Sequence, residues 1–265
     1  MLKSLYTAAT GMKAQQTMVD VIANNIANVN TAGFKKAQAS FEDLLYVTIE
    51  SPGLQQNQGG TSAPIGLQIG SGSRLSGTTK IYSPGTLEIT ERTLDLAIDG
   101  GGFFQTLLPD GSLGYTRDGH FLINADGVIV NAAGNILQPQ TSLPNDVLEI
   151  NIDQSGRVTG RTAGSPDTTS QFGEIHLTNF LNPSGLLSVG NNIVRQTAAS
   201  GPPTVNGTPG DNGLGRINQG FIERSNVQIV NELVNLIVAQ RAYEVNSRAI
   251  QASDQMLSTA TSIVR

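Results

Sequence analysis

Glycine and proline divide this 265-residue chain into two uninterrupted ends and a punctuated middle. All 11 prolines lie between Pro52 and Pro209, residues 1–32 hold one glycine, and residues 221–265 hold none. These two residue types interrupt regular structure more strongly than any others. The ends can therefore form long helices, whereas the middle must form many short elements. This distribution predicts an α+β chain.

The N-terminal segment carries a seven-residue apolar repeat, which is typical of a helix that packs along another helix. Its large seam residues are Leu5, Met12, Val19 and Ile26. The second seam position is assigned to Leu2, Ala9, Gln16 and Ala23. Gly33 follows the repeat as a stop signal, so the pattern predicts a helix over residues 2–30.

The C-terminal segment repeats this pattern with the same spacing. Its seam residues are Ile229, Leu236, Tyr243, Ile250 and Leu257. Ser225 and Gln228 fit a capping box, in which each side chain accepts from a free amide at the start of a helix. We expect a helix over residues 226–262, packed with the first in a coiled-coil-like arrangement.

Both predicted helices carry further apolar residues outside the seam. They are Tyr6, Val21, Ile22 and Val29 in the first helix and Val230, Val234, Val238 and Val245 in the second. Two ordinary helices packed on their own domain are the simpler alternative, but such a pair buries one stripe per helix and leaves these residues in water. The free energy gained by burying one seam is also small compared with the conformational entropy lost when so many residues become ordered. We expect the termini to be poorly ordered in the monomer and to become helical when several neighbouring copies cover all their faces.

The middle of the chain, residues 85–224, has the texture of a β domain. Residues 94–99 alternate apolar and polar side chains, which places Asp95 and Asp99 on the solvent face of a strand. Asp-Gly dipeptides favour tight hairpin turns, and the middle holds four of them. They are Asp99-Gly100, Asp110-Gly111, Asp118-Gly119 and Asp126-Gly127.

A third zone, residues 34–84, separates the first helix from the β domain. Residues 41–46 are interpreted as a helical turn, and the Gln-, Gly-, Ser- and Pro-rich stretch after them as extended chain. The predicted domains are thus 1–33 together with 225–265, an extended linker over 34–84, and the β domain over 85–224.

Charge and composition exclude several function classes. The net charge is −5, with +3 on residues 1–36, zero on residues 221–265 and −8 between them. A nucleic-acid partner is not expected, because such binders carry a basic patch. The absence of cysteine excludes disulfides and thiolate metal sites. The N-terminus has no apolar signal-peptide core, so we expect either cytosolic residence or export without a cleaved signal.

No candidate active site stands out in the sequence. Paired carboxylates at Asp95 and Asp99 leave a secreted β-rich glycan hydrolase as the alternative from a different class. The two histidines, His120 and His176, have no recognisable catalytic neighbours. The sequence Asn206-Gly207-Thr208 matches a glycosylation sequon, which we interpret as a chance match. We therefore expect no catalysis, no metal and no cofactor.

Three motifs, in order along the chain, resemble the bacterial flagellar rod and hook axial proteins. The N-terminal motif comprises residues 22–28, with the sequence IANNIAN, and residues 31–34, TAGF. The C-terminal motif comprises 225–227, 232–234 and 240–246, with QRAYEVN as its last part. Residues 102–104 and 115–119 resemble the β-domain core of that family. Three signatures in the right order make the match specific.

Within this family, the chain is most similar to the distal-rod members. The residues that carry this likeness are Tyr46, Ile49, Pro52, Gly53, Leu67 and Ile69. They belong to a stretch, residues 46–70, that marks the distal rod and is absent from the hook. A hook or proximal-rod subunit is the alternative within the family.

The resemblance implies a stiff helical polymer that acts as a drive shaft and passes torque to the hook. In it, the terminal helices line a central channel, and the extended stretch and β domain pack outside them. The implied partners are further copies of the chain, proximal rod proteins, the hook protein, the surrounding periplasmic and outer-membrane rings and the flagellar type III export apparatus. The implied location is the basal-body rod in the periplasmic space.

Overall fold

The computed structural model describes residues 2–51, 66–144 and 146–263. The chain is α+β and folds into two compact units. The first unit comprises Met1–Ile26, Ala37–Thr79 and Gln228–Arg265, and the second comprises Ala27–Lys36 and Lys80–Val227. The strands that follow the first helix thus belong to the same unit as both helices, whereas the predicted boundaries make residues 34–84 a separate segment.

Two long helices form the first unit together with four strands. Helix α1 spans Leu2–Ala27 and helix α2 spans Ile229–Ile263. The predicted capping box at Ser225 and Gln228 is wrong. The Ser225 hydroxyl accepts from the Val227 amide in a local turn, and Gln228 supplies the carbonyl that accepts from the Glu232 amide in the first turn of α2.

Gly33 does not stop α1, which ends six residues earlier at Ala27. Its backbone φ is +67°, and its N–H donates to the Glu223 carbonyl at 2.8 Å. A Cβ at this position would lie 2.6 Å from the backbone of Arg117 and Asp118. Glycine is required here because another backbone approaches closely, not because a helix ends.

The four strands of the first unit form two hydrogen-bonded pairs, which we call the ribbon. Strand β1 (Ala37–Asp43) pairs with β4 (Ser73–Lys80), and β2 (Tyr46–Glu50) pairs with β3 (Leu67–Gly70). The predicted helical turn at residues 41–46 is wrong. Aromatic and β-branched residues dominate the start of β2, and such residues favour a strand.

The second unit is built from short strands. They are β5 (Leu87–Ile89), β6 (Leu96–Asp99), β7 (Phe103–Leu107), β8 (Leu113–Thr116), β9 (Phe121–Ile123), β10 (Ile129–Asn131), β11 (Ile136–Gln138), β12 (Val147–Ile152), β13 (Arg157–Thr162), β14 (Ser165–Glu174), β15 (Leu177–Phe180), β16 (Leu187–Gly190), β17 (Ile193–Arg195), β18 (Pro203–Gly207), β19 (Arg216–Gln219) and β20 (Phe221–Glu223). A single 3-10 turn, Pro183–Gly185, lies between β15 and β16 within the described chain.

One nine-stranded sheet dominates this unit. Its main path runs β16-β17-β8-β7-β11-β10-β9, with β15 pairing with both β7 and β18. Strands β12, β13 and β14 form a second sheet, and β19-β6 and β20-β5 are separate pairs. The prediction of a β-rich middle is confirmed.

The core of the second unit is formed by side chains from the nine-stranded sheet, from the second sheet and from the β19-β6 pair. Its larger cluster includes Phe104, Phe121, Ile129 and Leu137, each fully buried. The rings of Phe104 and Phe121 meet edge to face with centroids 5.1 Å apart, the arrangement that aromatic pairs prefer. Apolar side chains from several strands thus share one interior.

Two of the four Asp-Gly dipeptides form the predicted hairpins. Asp110-Gly111 joins the paired strands β7 and β8, and Asp126-Gly127 joins β9 and β10. In both turns only the glycine has a positive φ, +77°, which is typical of a type I turn followed by a glycine bulge. Asp99-Gly100 and Asp118-Gly119 connect strands that do not pair with each other, so the hairpin prediction is wrong there.

The predicted solvent face at residues 94–99 is also only half correct. Asp99 is exposed, whereas Asp95 is fully buried. Leu96, Ala97 and Ile98 are buried in succession, because strand β6 is covered on both of its faces. An alternating sequence indicates one buried face, but it does not reveal that other elements also pack on the opposite face of the strand.

Candidate assembly surfaces

Helices α1 and α2 contact each other along a seam of small and polar residues. Ser4 and Ser253 approach to 3.5 Å between their hydroxyl oxygens, and Asn25 donates to Glu232 at 3.5 Å. Between these contacts, a Cβ on Gly11 would lie 3.0 Å from the side-chain amide of Asn246. The contacting pairs are 4 with 253, 11 with 246 and 25 with 232. The residue number increases along α1 while it decreases along α2, each time by a multiple of seven. The two helices are therefore antiparallel, with a heptad spacing of contacts.

The large residues predicted for the seam lie beside these contacts. Seven of the nine are half-buried: Leu5, Met12, Val19, Ile26, Leu236, Ile250 and Leu257. The other two, Ile229 and Tyr243, are 46% and 43% exposed. Burial within one chain does not test their predicted role in packing between subunits, which stays a prediction.

In α1 the buried stripe lies one residue before the predicted second seam position. Ala9, Gln16 and Ala23 are exposed, whereas Ala8 and Ile22 are buried. The side chain of Leu2 lies outside the described residues. Small and polar residues occupy the closest contacts, so counting apolar side chains alone shifts the stripe toward its larger neighbours.

The side of α2 that faces away from the seam is apolar over its first half. We define this outward face by Val230, Leu233, Val234, Ile237 and Val238, which are spaced one, three or four residues apart, together with Val245, which lies seven residues after Val238 and beyond the exposed Arg241. All six are exposed, and Val230 is 73% exposed. Residues at this spacing share one side of a helix. A contiguous apolar surface of this kind marks an interaction site.

The ribbon carries the second exposed apolar surface of the first unit. Tyr46, Ile49, Leu67 and Ile69, all predicted to be specific to the rod, are each at least 43% exposed. Leu45 at the bend is 88% exposed. Pro52 and Gly53, from the same predicted set, lie outside the described residues. An isolated two-stranded pair has no core of its own, so these side chains are available to another surface.

Asn25 connects three elements of the first unit and is 2% exposed. Its amide nitrogen donates to the Ala37 carbonyl, and its carbonyl oxygen accepts from the Ala37 amide, both at 2.9 Å. The same nitrogen faces Glu232 of α2. Asn25 lies within the N-terminal motif, but the apolar repeat alone assigns it no role. A polar residue within an apolar helical segment is the signal that could have revealed this role, because a buried polar side chain requires a hydrogen-bond partner.

In the second unit, a buried ion cluster holds the segment that follows α1. Lys35 Nζ lies 2.6 Å from Glu223 Oε1, and Arg117 Nη1 lies 3.5 Å from Glu223 Oε2. Burial lowers the pKa of the Lys35 ammonium, and Glu223 opposes that shift. Burial likewise lowers the pKa of the Arg117 guanidinium against the effect of Glu223. One carboxylate thus compensates two buried cations, and losing it would leave both without a counter-ion.

Asn226, in the motif before α2, anchors the same segment of the second unit. Its side-chain oxygen accepts from the Lys36 amide at 2.8 Å, and its nitrogen donates to the Ile81 carbonyl at 2.8 Å. A single amide side chain thereby joins three stretches that are distant in sequence. The sequence alone did not assign this role.

The carboxylates that suggested a glycan hydrolase do not form an accessible pair. Asp95 is fully buried, with Arg92 Nη1 at 3.8 Å from its carboxylate, whereas Asp99 is exposed. Glycoside hydrolysis needs two carboxyl groups that flank one bond of a bound sugar.

Neither helix in the described part of the chain combines the length and the hydropathy that a membrane span requires.

Three family models match separate parts of the chain. A flagella basal body rod protein model matches residues 5–35, a flagellar hook protein FlgE/F/G D1 domain model matches 97–160, and a flagellar basal body rod FlgEFG protein C-terminal model matches 218–263. These segments cover α1 from Leu5 onward, the central region from β6 into β13, and the whole of α2.

Full-length relatives narrow this assignment. The flagellar basal-body rod protein FlgG of Caulobacter vibrioides is 46% identical over 100% of both chains. The chain belongs to the FlgG family. The FlgG protein of Borreliella burgdorferi is 43% identical, again over 100% of both chains. The flagellar hook-basal body complex protein FlhP of Bacillus subtilis is 30% identical over 99% of this chain and 100% of its own.

Membership of the FlgG family makes the chain a structural subunit of the flagellar distal rod and not an enzyme. The conclusion agrees with the geometry, in which the prominent surfaces are apolar faces on a helix and a ribbon. The predicted resemblance to the rod and hook proteins is confirmed.

Proposed function

We propose that copies of this FlgG-family chain polymerise into a stiff, helical, tubular shaft that carries torque to the hook. In this shaft, α1 and α2 form a coiled-coil-like inner layer in which the seam residues of one copy contact helices of the next. The ribbon packs on neighbouring copies and supplies stiffness. The partners are further copies, proximal rod proteins, the hook protein, the surrounding rings and the flagellar type III export apparatus.

The outward face of α2 is the observation that carries this proposal. Six exposed apolar residues on one side of a helix are costly in water, at roughly 25 cal/mol for each Å² of apolar surface. The closest contacts of the seam between the helices are made by small and polar side chains, and the large apolar residues beside them stay only half-buried. A second copy on the outward face supplies the burial that the single chain lacks.

The proposed location is the rod within the periplasmic space, reached by export without a cleaved signal. This part of the proposal rests on membership of the FlgG family and on the resemblance to exported axial proteins. It predicts that export cleaves no N-terminal segment other than the first methionine. N-terminal sequencing of the protein from purified basal bodies measures this.

The test is a charge placed on the outward face. Val234→Asp puts a carboxylate among apolar side chains that a neighbouring copy would bury, and an unpaired buried charge is strongly unfavourable. We expect loss of rods and of motility in cells carrying this variant. The matched control is Asn235→Asp, which adds the same charge at the next exposed residue, outside the outward face.

Both variants must reach the basal body for the comparison to be informative, so export is measured by immunoblotting of the periplasmic fraction. An exported Val234→Asp chain that still forms rods of normal length would contradict the proposal. Loss of rods in both variants would also contradict it, because the outward face would then have no special role.

A further inference from the structure

Two Asn-Gly dipeptides lie six residues apart in the second unit, and the fold treats them differently. Asn206-Gly207 belongs to strand β18, whereas Asn212-Gly213 lies in the turn between β18 and β19. Asparagine followed by glycine is chemically labile, because glycine has no side chain to hinder attack by its amide nitrogen on the asparagine side chain. The local structure decides whether that attack can take place.

Asn206 is held at both its backbone and its side chain. In the pairing of β15 with β18, Asn206 lies opposite Thr178 and Gly207 lies opposite Leu177. Its amide nitrogen donates to the Gln105 side chain at 3.3 Å, and its oxygen accepts from the Thr178 hydroxyl at 3.5 Å. The strand must open locally before this dipeptide can react.

Asn212 has none of these restraints. It is exposed, with a φ of +50°, and Gly213 follows with a φ of +80°. A Cβ on Gly213 would meet no atom within 4 Å, so there is open space beside its backbone. Within the described part of the chain, neither the Asn212 side-chain amide nor the Gly213 N–H has a hydrogen-bond partner.

The turn around Asn212 is nevertheless fixed on both sides. The Leu214 amide donates to the Asp211 carbonyl at 2.9 Å, and Leu214 is buried in the core. The Gly210 amide donates to the Gly215 carbonyl at 2.9 Å. The dipeptide is thus presented to solvent at the tip of a stable turn, where its exposure does not depend on unfolding.

We propose that Asn212 is a site of spontaneous deamidation. The Gly213 amide nitrogen loses its proton and attacks Asn212 Cγ, forming an N–Cγ bond. The bond from Cγ to Nδ2 breaks, and Nδ2 leaves as ammonia with the proton, which closes a succinimide ring. Water then opens the ring at either carbonyl and leaves aspartate or isoaspartate. No oxidation or reduction takes place.

The modification adds one negative charge to a chain whose net charge is −5. The isoaspartate product also lengthens the backbone by one methylene group within the turn. Because the reaction needs only water and does not reverse, the modified fraction of Asn212 increases with the age of each molecule.

The experiment incubates the purified full-length protein in mildly alkaline buffer made with oxygen-18 water and maps its peptides by mass spectrometry over time. We expect the peptide containing residue 212 to split into two products, each heavier by about 3 Da, because replacing the amide by a carboxyl adds about 1 Da and the oxygen-18 taken up from water adds about 2 Da more. We expect this site to react about tenfold or more faster than residue 206, whose reaction requires local opening.

Two controls separate the effect of the fold from that of the dipeptide. In denaturant both sites lack structure, so their rates should become similar. In Asn212→Gln, whose longer side chain closes a ring far less readily, the mass change at residue 212 should disappear while the rate at residue 206 is unchanged. Equal rates in the folded protein, or an unmodified Asn212 after the denatured chain has reacted, would overturn the proposal.

Discussion

Among single residues, Asn25 shows how much of the first unit depends on polar contacts. It satisfies both backbone groups of Ala37 and faces the buried carboxylate of Glu232. A buried backbone group without a partner costs about 1–3 kcal/mol. The side chain therefore positions the start of the ribbon against α1 and also sets the register of α2, as polar residues in helical seams do elsewhere.

Replacing Asn25 with leucine should destabilise the chain more than any apolar change on the exposed side of α1. The variant leaves the N–H and C=O of Ala37 unpaired, so we expect the free energy of unfolding to fall by about 2–4 kcal/mol. Denaturant unfolding followed by circular dichroism measures the change.

The matched control for Asn25 is Gln16→Leu, which removes an exposed amide from the same helix. It should alter the free energy of unfolding by no more than about 0.5 kcal/mol. Equal effects of the two substitutions would show that the Asn25 contacts do not stabilise the unit.

At the scale of elements, the β7–β8 hairpin depends on one carboxylate in its turn. The Ser112 hydroxyl and amide both donate to Asp110, and Arg195 donates to its other oxygen. These bonds lower the pKa of Asp110 from 3.8 to about 2. A carboxyl whose folded pKa is lowered stabilises the fold above its unfolded pKa, and that stabilisation is lost as the pH falls toward the folded pKa.

Asp110→Asn should therefore cost stability in a pH-dependent way. We expect the parent to be more stable than the variant at neutral pH, and we expect the difference to shrink as the pH falls through the window from 3.8 to about 2. Urea unfolding at several pH values across this window measures it. Ser112→Ala, which removes one of the bonds, should reproduce part of the effect. A difference that stays constant with pH would contradict this account of the turn.

The outer strand pair of the ribbon, β2 with β3, is the element to which we assign stiffness. The Leu44 amide donates to the Gly72 carbonyl at 2.8 Å, so the chain on either side of residues 46–70 is already close enough to be joined. Deleting these residues removes the exposed side chains of Tyr46, Ile49 and Leu67 and leaves β1 and β4 to pair.

We expect this deletion to yield a curved or flexible polymer in place of a straight rod, because the contacts that bridge copies are lost. Electron microscopy of basal bodies, or of polymers from an export-competent strain, shows the shape directly. Gln68→Ala is the control, since it retains the ribbon and should leave the rod straight. A straight rod from the deleted chain would refute the assignment of stiffness to this stretch.

The existence of elements was easier to predict than their register. The absence of glycine and proline at the ends, together with heptad spacing, was enough for both helices. The exact seam was not predictable from apolar residues, because Ser4, Gly11 and Asn25 make the closest contacts. Two further turns, at residues 131–135 and 153–157, have the same backbone hydrogen bonds as the Asp-Gly hairpins. They were missed because their sequences, Ala-Gly and Ser-Gly, are weaker turn signals.

At the scale of the whole molecule, the two units differ in how completely they bury their apolar side chains. The second unit has a core of fully buried side chains, whereas the first unit leaves the outward face of α2 and much of the ribbon in water. A sequence can indicate that apolar residues exceed what one seam buries, as Val230, Val234, Val238 and Val245 did here. The residues that hold each unit together, such as Asn25 and Glu223, have partners far away in sequence and become visible only in three dimensions.

The central claim is that this chain builds the rod, and the most direct test is electron microscopy of basal bodies from a strain that lacks its gene. The account predicts truncated rods without hooks, restored to full length when the gene is returned, with a stub length that distinguishes a distal from a proximal subunit. Complete rods that lack only the hook would instead identify a hook subunit. Intact, motile flagella in the deletion strain would contradict the account.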